Sequence, residues 1–212
     1  MLAALNINKY PYFDTSEIIS EPDFLFSPYR SVKPVKTGNR IPDFTFEKGT
    51  AKWQQFFNGA KVRNGVLLNQ LSNKPLVISF YSGEWQSYGL DLLKQLNQIH
   101  HEIKVQGGNL LIISAENDRK LEKLAWENSL SLNVYFDTDN EIAGKFRVYS
   151  DEDPIWNRFS GIDTNVPLLA TYVISASGQI IYDYIDQDFS NRFPAKDIIT
   201  SINRSNLSSQ IV

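Results

Sequence analysis

The 212-residue chain contains no cysteine. That absence removes disulfides, thiolate metal sites and every cysteine nucleophile. It also leaves the redox compartment open, because there are no thiols for it to act on. Histidine is nearly as scarce: His100 and His101 are the two present. Neighbours on a helix point about 100° apart and rarely share one ion, so no metal site is expected. Near a helix C-terminus such a pair is expected to offset the dipole instead. Long apolar runs are missing too. Leu110-Leu111-Ile112-Ile113 is far too short to cross a bilayer. There is no excess of positive charge, since the net charge is −3 and the pI about 5.4. Neither nucleic acid nor a membrane is therefore an expected partner. The opening Met1-Leu2-Ala3-Ala4-Leu5-Asn6 lacks the basic and apolar regions of a secretory signal, so a cytoplasmic location is the default expectation. No G-x-S-x-G or H-E-x-x-H occurs. Gly107-Gly108 precedes a strand-like run rather than following one, which is the wrong order for a phosphate loop. No cofactor is expected.

What is present is an ordinary globular composition, 42% apolar and 21% charged. The length suits one domain with an extension. Residues 1–37 show no period but are rich in aromatics and proline, among them Tyr10, Pro11, Tyr12, Phe13, Phe24 and Phe26. Disordered tails are usually poor in aromatics. An extended arm is expected here, packed on the domain or on a neighbouring subunit, where it would serve a homodimer. A partly ordered tail is the alternative. Strand-like runs 53–57 and 60–62 flank Asn58-Gly59, a two-residue hairpin turn. A short helical turn is expected over 66–71. Apolar strands over 76–80, 110–114 and 132–136 alternate with a helix over 90–103, one that Asn117 or Asp118 can cap with Leu121, Leu124 and Ala125 inward, and one over 141–146. The first helix carries Leu90, Leu93, Leu96, Ile99 and Ile103 on one stripe. Residues 151–165 read as a loop. Strands over 171–175 and 180–185 join through Ala176-Ser177-Gly178-Gln179, and Pro194 opens a last helix. The tail 205–212 is polar and expected to fray. The fold class is α/β, with a mixed central sheet flanked by helices, an N-terminal hairpin and an extended arm. The domain itself spans 38–204.

The turn between the first buried strand and the first helix reads Phe80-Tyr81-Ser82-Gly83-Glu84-Trp85-Gln86-Ser87-Tyr88-Gly89. It resembles the F-Y-x-G-x-W-C-P-Y-C turn of the peroxiredoxin-like (alkyl hydroperoxide reductase/thiol-specific antioxidant) family of the thioredoxin superfamily. Three further segments resemble that family: Gly38 to Phe44 its G-x-x-x-P-x-F entry, Leu168-Leu169-Ala170-Thr171-Tyr172-Val173-Ile174 its L-P-A-T-F-V-I-D, and Asp186-Gln187-Asp188-Phe189-Ser190-Asn191-Arg192 its D-P-D-Y-x-x-R. The resemblance implies a thioredoxin-like fold and an ancestral thiol peroxidase. It also marks what has changed. Gln86 and Gly89 occupy the two cysteine positions, Ser87 a proline position, and Leu169 the position of the usual cis-proline. A non-proline cis bond costs about 2.5–4 kcal/mol, so a trans Leu168–Leu169 peptide is expected.

An amide at position 86 cannot attack a peroxide or form a sulfenic acid. The chain is therefore expected to be no thiol enzyme but a redox-inactive relative. It would bind a small ligand or a protein partner near the former active-site turn. An enzyme of non-thiol chemistry in the same pocket is the alternative. The residues singled out are Tyr81, Trp85, Gln86, Ser87, Tyr88, Gly89, Leu169, Thr171 and Arg192. Tyr81, Trp85 and Tyr88 either wall a pocket or fill the core. Arg192 either fixes an anionic or carbonyl group at the helix N-terminus or pairs with Asp186 or Asp188. Asp183, Asp186 and Asp188 are expected to be strand end and turn rather than a calcium loop.

Overall fold

The computed structural model describes residues 33–47, 50–62, 73–117, 119–159, 161–186 and 192–209. Most of the expected arm, the helical turn expected over 66–71 and Asp188 lie outside the described residues. Trp53–Phe57 (β1) and Ala60–Val62 (β2) form the hairpin. Asn58 and Gly59 both take the positive φ that such a two-residue turn needs, 47° and 81°. Then come Leu76–Tyr81 (β3), Gln86–Val105 (α1), Asn109–Ser114 (β4), Arg119–Glu127 (α2), Asn133–Phe136 (β5), Glu141–Lys145 (α3), Ala170–Ile174 (β6), Ile180–Ile185 (β7) and Ala195–Ser209 (α4).

The strands make one sheet in the order β2-β1-β5-β4-β3-β6-β7. β3, β4 and β5 run parallel, and the outer pairings are antiparallel. Parallel neighbours need crossovers, which α1 and α2 supply. β3 lies mid-sheet, which is why it reads as an unbroken apolar run rather than an alternating one. This is the mixed, helix-flanked sheet that the sequence pattern predicts, in the thioredoxin-like arrangement that the resemblance implies.

The two faces of β3 carry different chemistry. Ile78 and Phe80 share a face with a run of rings. Phe80 lies 5.3 Å from Phe146, Phe146 lies 5.0 Å from Tyr172, and Phe44 lies 5.7 Å from Phe146. Phe46, Trp53 and Tyr135 extend it across the sheet with centroids 4.9–5.3 Å apart. Tyr81 faces α1, and the two-residue strand period puts Val77 and Ser79 on that face as well. There the Ser79 and Thr171 hydroxyls, paired across β3 and β6, lie 2.9 Å apart and fully buried.

The buried stripe of α1 is Leu92, Leu93, Leu96, His100 and Ile103, while Leu90 and Ile99 are only half-buried. His100 therefore belongs to the core rather than to the exposed end of the helix. Burial lowers its pKa, with help from the Lys104 ammonium and against the Ser131 carbonyl that its Nδ1 meets. α4 continues through Ser209, past the point where the sequence suggests fraying. The Asn206 amide donates to the Gln106 carbonyl at 2.5 Å and ties that last part of α4 to the end of α1. No helix of the described residues is long and apolar enough to cross a membrane.

The entry segment is stitched to β7. Gly38 N–H donates to Ile180 O, Ile180 N–H to Asn39 O and Ile41 N–H to Gly178 O, each at 2.9 Å. Asp183 completes the seam. Its carboxylate accepts from the Lys36 ammonium at 2.8 Å and from the Thr37 N–H and hydroxyl at 2.7 Å each. Partial burial pushes the Asp183 carboxyl up, but these donors outweigh it and hold its pKa below the usual carboxylate value. A depressed folded-state pKa contributes stability that is present above the unfolded value of about 3.9 and is lost as pH falls through the folded value. Asp183→Asn should therefore lower the melting temperature at pH 7. The difference from the parent should shrink as the pH falls below about 4. Thermal melts of both proteins from pH 7 to pH 2.5 check this; a pH-independent difference would contradict it.

Candidate functional site

β3 ends at the C-terminal edge of the parallel strands, and the chain turns there into α1. Such edges are where α/β folds place their sites. The turn is built by short polar contacts. Ser82 is buried, and its Oγ accepts from Glu84 N–H at 3.1 Å, capping a single 3-10 turn, Gly83–Trp85. The Ser82 hydroxyl in turn donates to the Glu116 carboxylate, whose other oxygen accepts from Gly83 N–H at 3.1 Å. Glu116 follows β4, the parallel neighbour of β3, and so reaches the turn from the side. Sequence reasoning passed over Glu116. Its only signal is a carboxylate two residues beyond a buried parallel strand.

Trp85 is 2% exposed. Its indole N–H donates to Pro167 O at 2.8 Å, and its ring stands edge-on to Phe159 at 5.2 Å. Trp85 therefore joins the turn to the segment before β6 and to the loop 151–165. Gln86 then redirects the chain into α1 with φ 50° and ψ −120°, its N–H donating to Gly83 O. That backbone conformation favours glycine and costs other residues about 1–3 kcal/mol. Gly89 is buried beneath the turn. A Cβ there would stand 3.0 Å from Tyr81 Cε2, 3.1 Å from Ser82 O and 3.2 Å from Trp85 Cβ.

Of the nine residues singled out by sequence, Tyr88 and Leu169 line an open groove beside the turn, with a cavity volume of about 180 Å³. Asp91, Leu92 and Gln95 of α1, Tyr184 and Asp186 at the end of β7, and Phe193 complete it. Tyr81, Trp85 and Thr171 are buried packing residues, with Thr171 committed to Ser79. Gln86, Ser87 and Arg192 are exposed and do not line the groove. The Leu168–Leu169 peptide is trans, since the described residues hold no cis bond. Leu169 O accepts from Asp186 N–H at 3.0 Å, and Leu168 N–H donates to Val148 O at 2.8 Å, so both neighbours of that peptide are occupied by backbone.

A thiol peroxidase needs a thiolate at position 86, and this chain has an amide there and no cysteine elsewhere. The resolving position is also crowded, because a Cβ at Gly89 would press on Tyr81, Ser82 and Trp85 at 3.0–3.2 Å. Two stability measurements probe these positions. Gly89→Ala would ordinarily gain about 1 kcal/mol inside a helix. Here overpacking against Ser82 and Tyr81 should reverse the sign and cost about 1–3 kcal/mol. Gln86→Gly should go the other way and gain about 1 kcal/mol through relief of the positive φ. Denaturant unfolding of both variants reads the two signs.

The sequence profile described as the AhpC/TSA family matches residues 37–183, well over half of the chain. No curated protein matches significantly. Solved structures match in fold at low identity. The chain is similar to the reduced Plasmodium vivax 2-Cys peroxiredoxin, with 16% identity, a TM-score of 0.59, and coverage of 84% of this chain and 85% of that one. It is similar to Enterococcus faecalis AhpC, with 12% identity, a TM-score of 0.59, and coverage of 81% and 93%. It is also similar to the peroxidoxin BcpB of Mycobacterium tuberculosis, with 18% identity, a TM-score of 0.56, and coverage of 80% and 97%. With the profile spanning the entry segment, the β3–α1 turn and the sheet through β7, this cysteine-less chain belongs to the AhpC/TSA family.

Proposed function

We propose that the chain is a redox-inactive member of its family that works by binding, and that the groove between α1, Leu169 and the end of β7 receives a small ligand. One observation carries the reading. The old nucleophile position is an amide in a chain without cysteine, yet an open cavity of about 180 Å³ persists one helical turn away. Binding clefts combine apolar walls with a few polar groups. This groove has Leu92, Leu169 and Phe193 for the first, and Gln95, Asp91 and two tyrosines for the second. The indole of Trp85 contributes no wall, because Pro167 and Phe159 already occupy it.

Two measurements test this. Hydrogen peroxide consumption with dithiothreitol or thioredoxin should not exceed that of a heat-killed control; turnover above it would refute the redox-inactive assignment. A library of small fragments, followed by amide chemical shifts, should give changes grouped on Tyr88, Leu92, Gln95, Leu169 and Tyr184. If fragments leave these amides unmoved, the groove is not a ligand site and a protein partner becomes the better reading.

A further inference from the structure

Resting on the reading of the groove as a binding site, we infer that its ligand presents a cation, an ammonium or guanidinium group on a short apolar stem. The groove holds two carboxylates, Asp91 and Asp186, and none of the described residues lining it is lysine or arginine. Three of its residues are aromatic: Tyr88, Tyr184 and Phe193. Tyr184 and Phe193 already stand edge to face at 5.9 Å, which fixes one side of the groove as a rigid aromatic wall. Tyr88 is 51% exposed on α1 and forms the other. The negative face of an aromatic ring attracts cations, and a carboxylate beside it adds a direct charge. The same set repels a carboxylate or phosphate.

The size agrees with a compact head group. The groove is open to solvent, and its volume of about 180 Å³ leaves room for a short head group and stem. That accommodates a four-carbon ammonium, which is also the end of a lysine side chain. Leu92 and Leu169 are buried at 7% and 3% exposure and offer apolar contact to the stem. Arg192, the one basic residue that sequence reasoning placed near the turn, is exposed and outside the lining set. An anion held by Arg192 would therefore sit outside the groove.

The test uses the full chain and three probes of one shape: n-butylammonium, n-butanol and butyrate. Each is titrated while the amide shifts of Asp91, Gln95, Leu169 and Asp186 are followed. n-Butylammonium should saturate these shifts, n-butanol should bind more weakly, and butyrate should leave them unmoved. Added salt should weaken the ammonium but not the alcohol. Asp91→Asn and Tyr88→Leu should each weaken n-butylammonium about two- to fivefold, as expected for one exposed ion pair or one exposed ring contact. Glu102→Gln, on the exposed side of the far end of α1, should change nothing and controls for net charge. N-acetyl-lysine methylamide and a lysine-containing peptide, run as further arms, separate a free amine from a protein side chain as the source. Equal or tighter binding of butanol or butyrate, or unchanged ammonium affinity in both variants, overturns the cation inference while the binding reading stands. If no probe moves the groove amides, both fall.

Discussion

The hydrogen bond from the Trp85 indole to the Pro167 carbonyl sets the distance between two segments far apart in sequence, the turn after β3 and the strand entry to β6. Once that bond forms, the indole is withdrawn from solvent and its ring meets Phe159. The loop carrying Phe159 is then held by its own contacts. Asp153 pairs with Arg158, and Asn165 bridges Ile155 N–H and Ser150 O at 3.0 Å each. Leu169, two residues beyond Pro167, is placed as a consequence and becomes one wall of the groove. The stability of this region therefore belongs to ring packing and backbone pairing. None of these contacts involves the side chain at position 86.

That independence explains how the family's chemistry was lost while its architecture was kept. The thiolate in a peroxiredoxin-like turn exploits a helix N-terminus but does not build it. In this chain the turn is built by Ser82, Glu116 and Trp85. The former cysteine positions have drifted in opposite directions. Gln86 stands exposed on a backbone that would suit glycine, and Gly89 is enclosed so closely that even a methyl group would crowd Ser82 and Tyr81. One position tolerates strain at the surface, and the other has turned into packing.

The layout of the sheet was legible because its signals are strong and local. The Asn58-Gly59 hairpin, the apolar run of β3 and the 180–185 strand all fall where their patterns place them. Helix ends were less legible. α1 begins at Gln86 rather than near Leu90, running straight on from the 3-10 turn Gly83–Trp85 that Ser82 caps and Glu116 braces through contacts no local pattern reveals. α4 outlasts its apolar stripe for a similar reason, the tertiary bond from Asn206. At the site, aromatic residues in a familiar frame looked the same whether they line a pocket or fill the core. Only the structure separates Tyr88, at the groove, from Trp85, beneath the turn. Thr171 is the same case: a hydroxyl in the middle of a family motif is spent on Ser79.

The sign of the groove follows from distance along α1. A helix N-terminus carries roughly half a positive charge, and its influence fades within the first turn. Gln86 and Ser87 lie inside that range and are exposed, so an anion attracted there would meet solvent rather than the groove. Tyr88, Asp91, Leu92 and Gln95 line the groove from further along the same helix, mostly past the reach of the dipole. At that distance side-chain charges dominate, and among the described residues lining the groove these are the carboxylates of Asp91 and Asp186. Asp91 also lies too deep in α1 to count as a residue of its first turn. The dipole therefore gives it little, and its charge stays available to whatever enters from solvent. The same helix thus offers opposite electrostatics at two neighbouring places. Of the two, the groove side has both a cavity and walls.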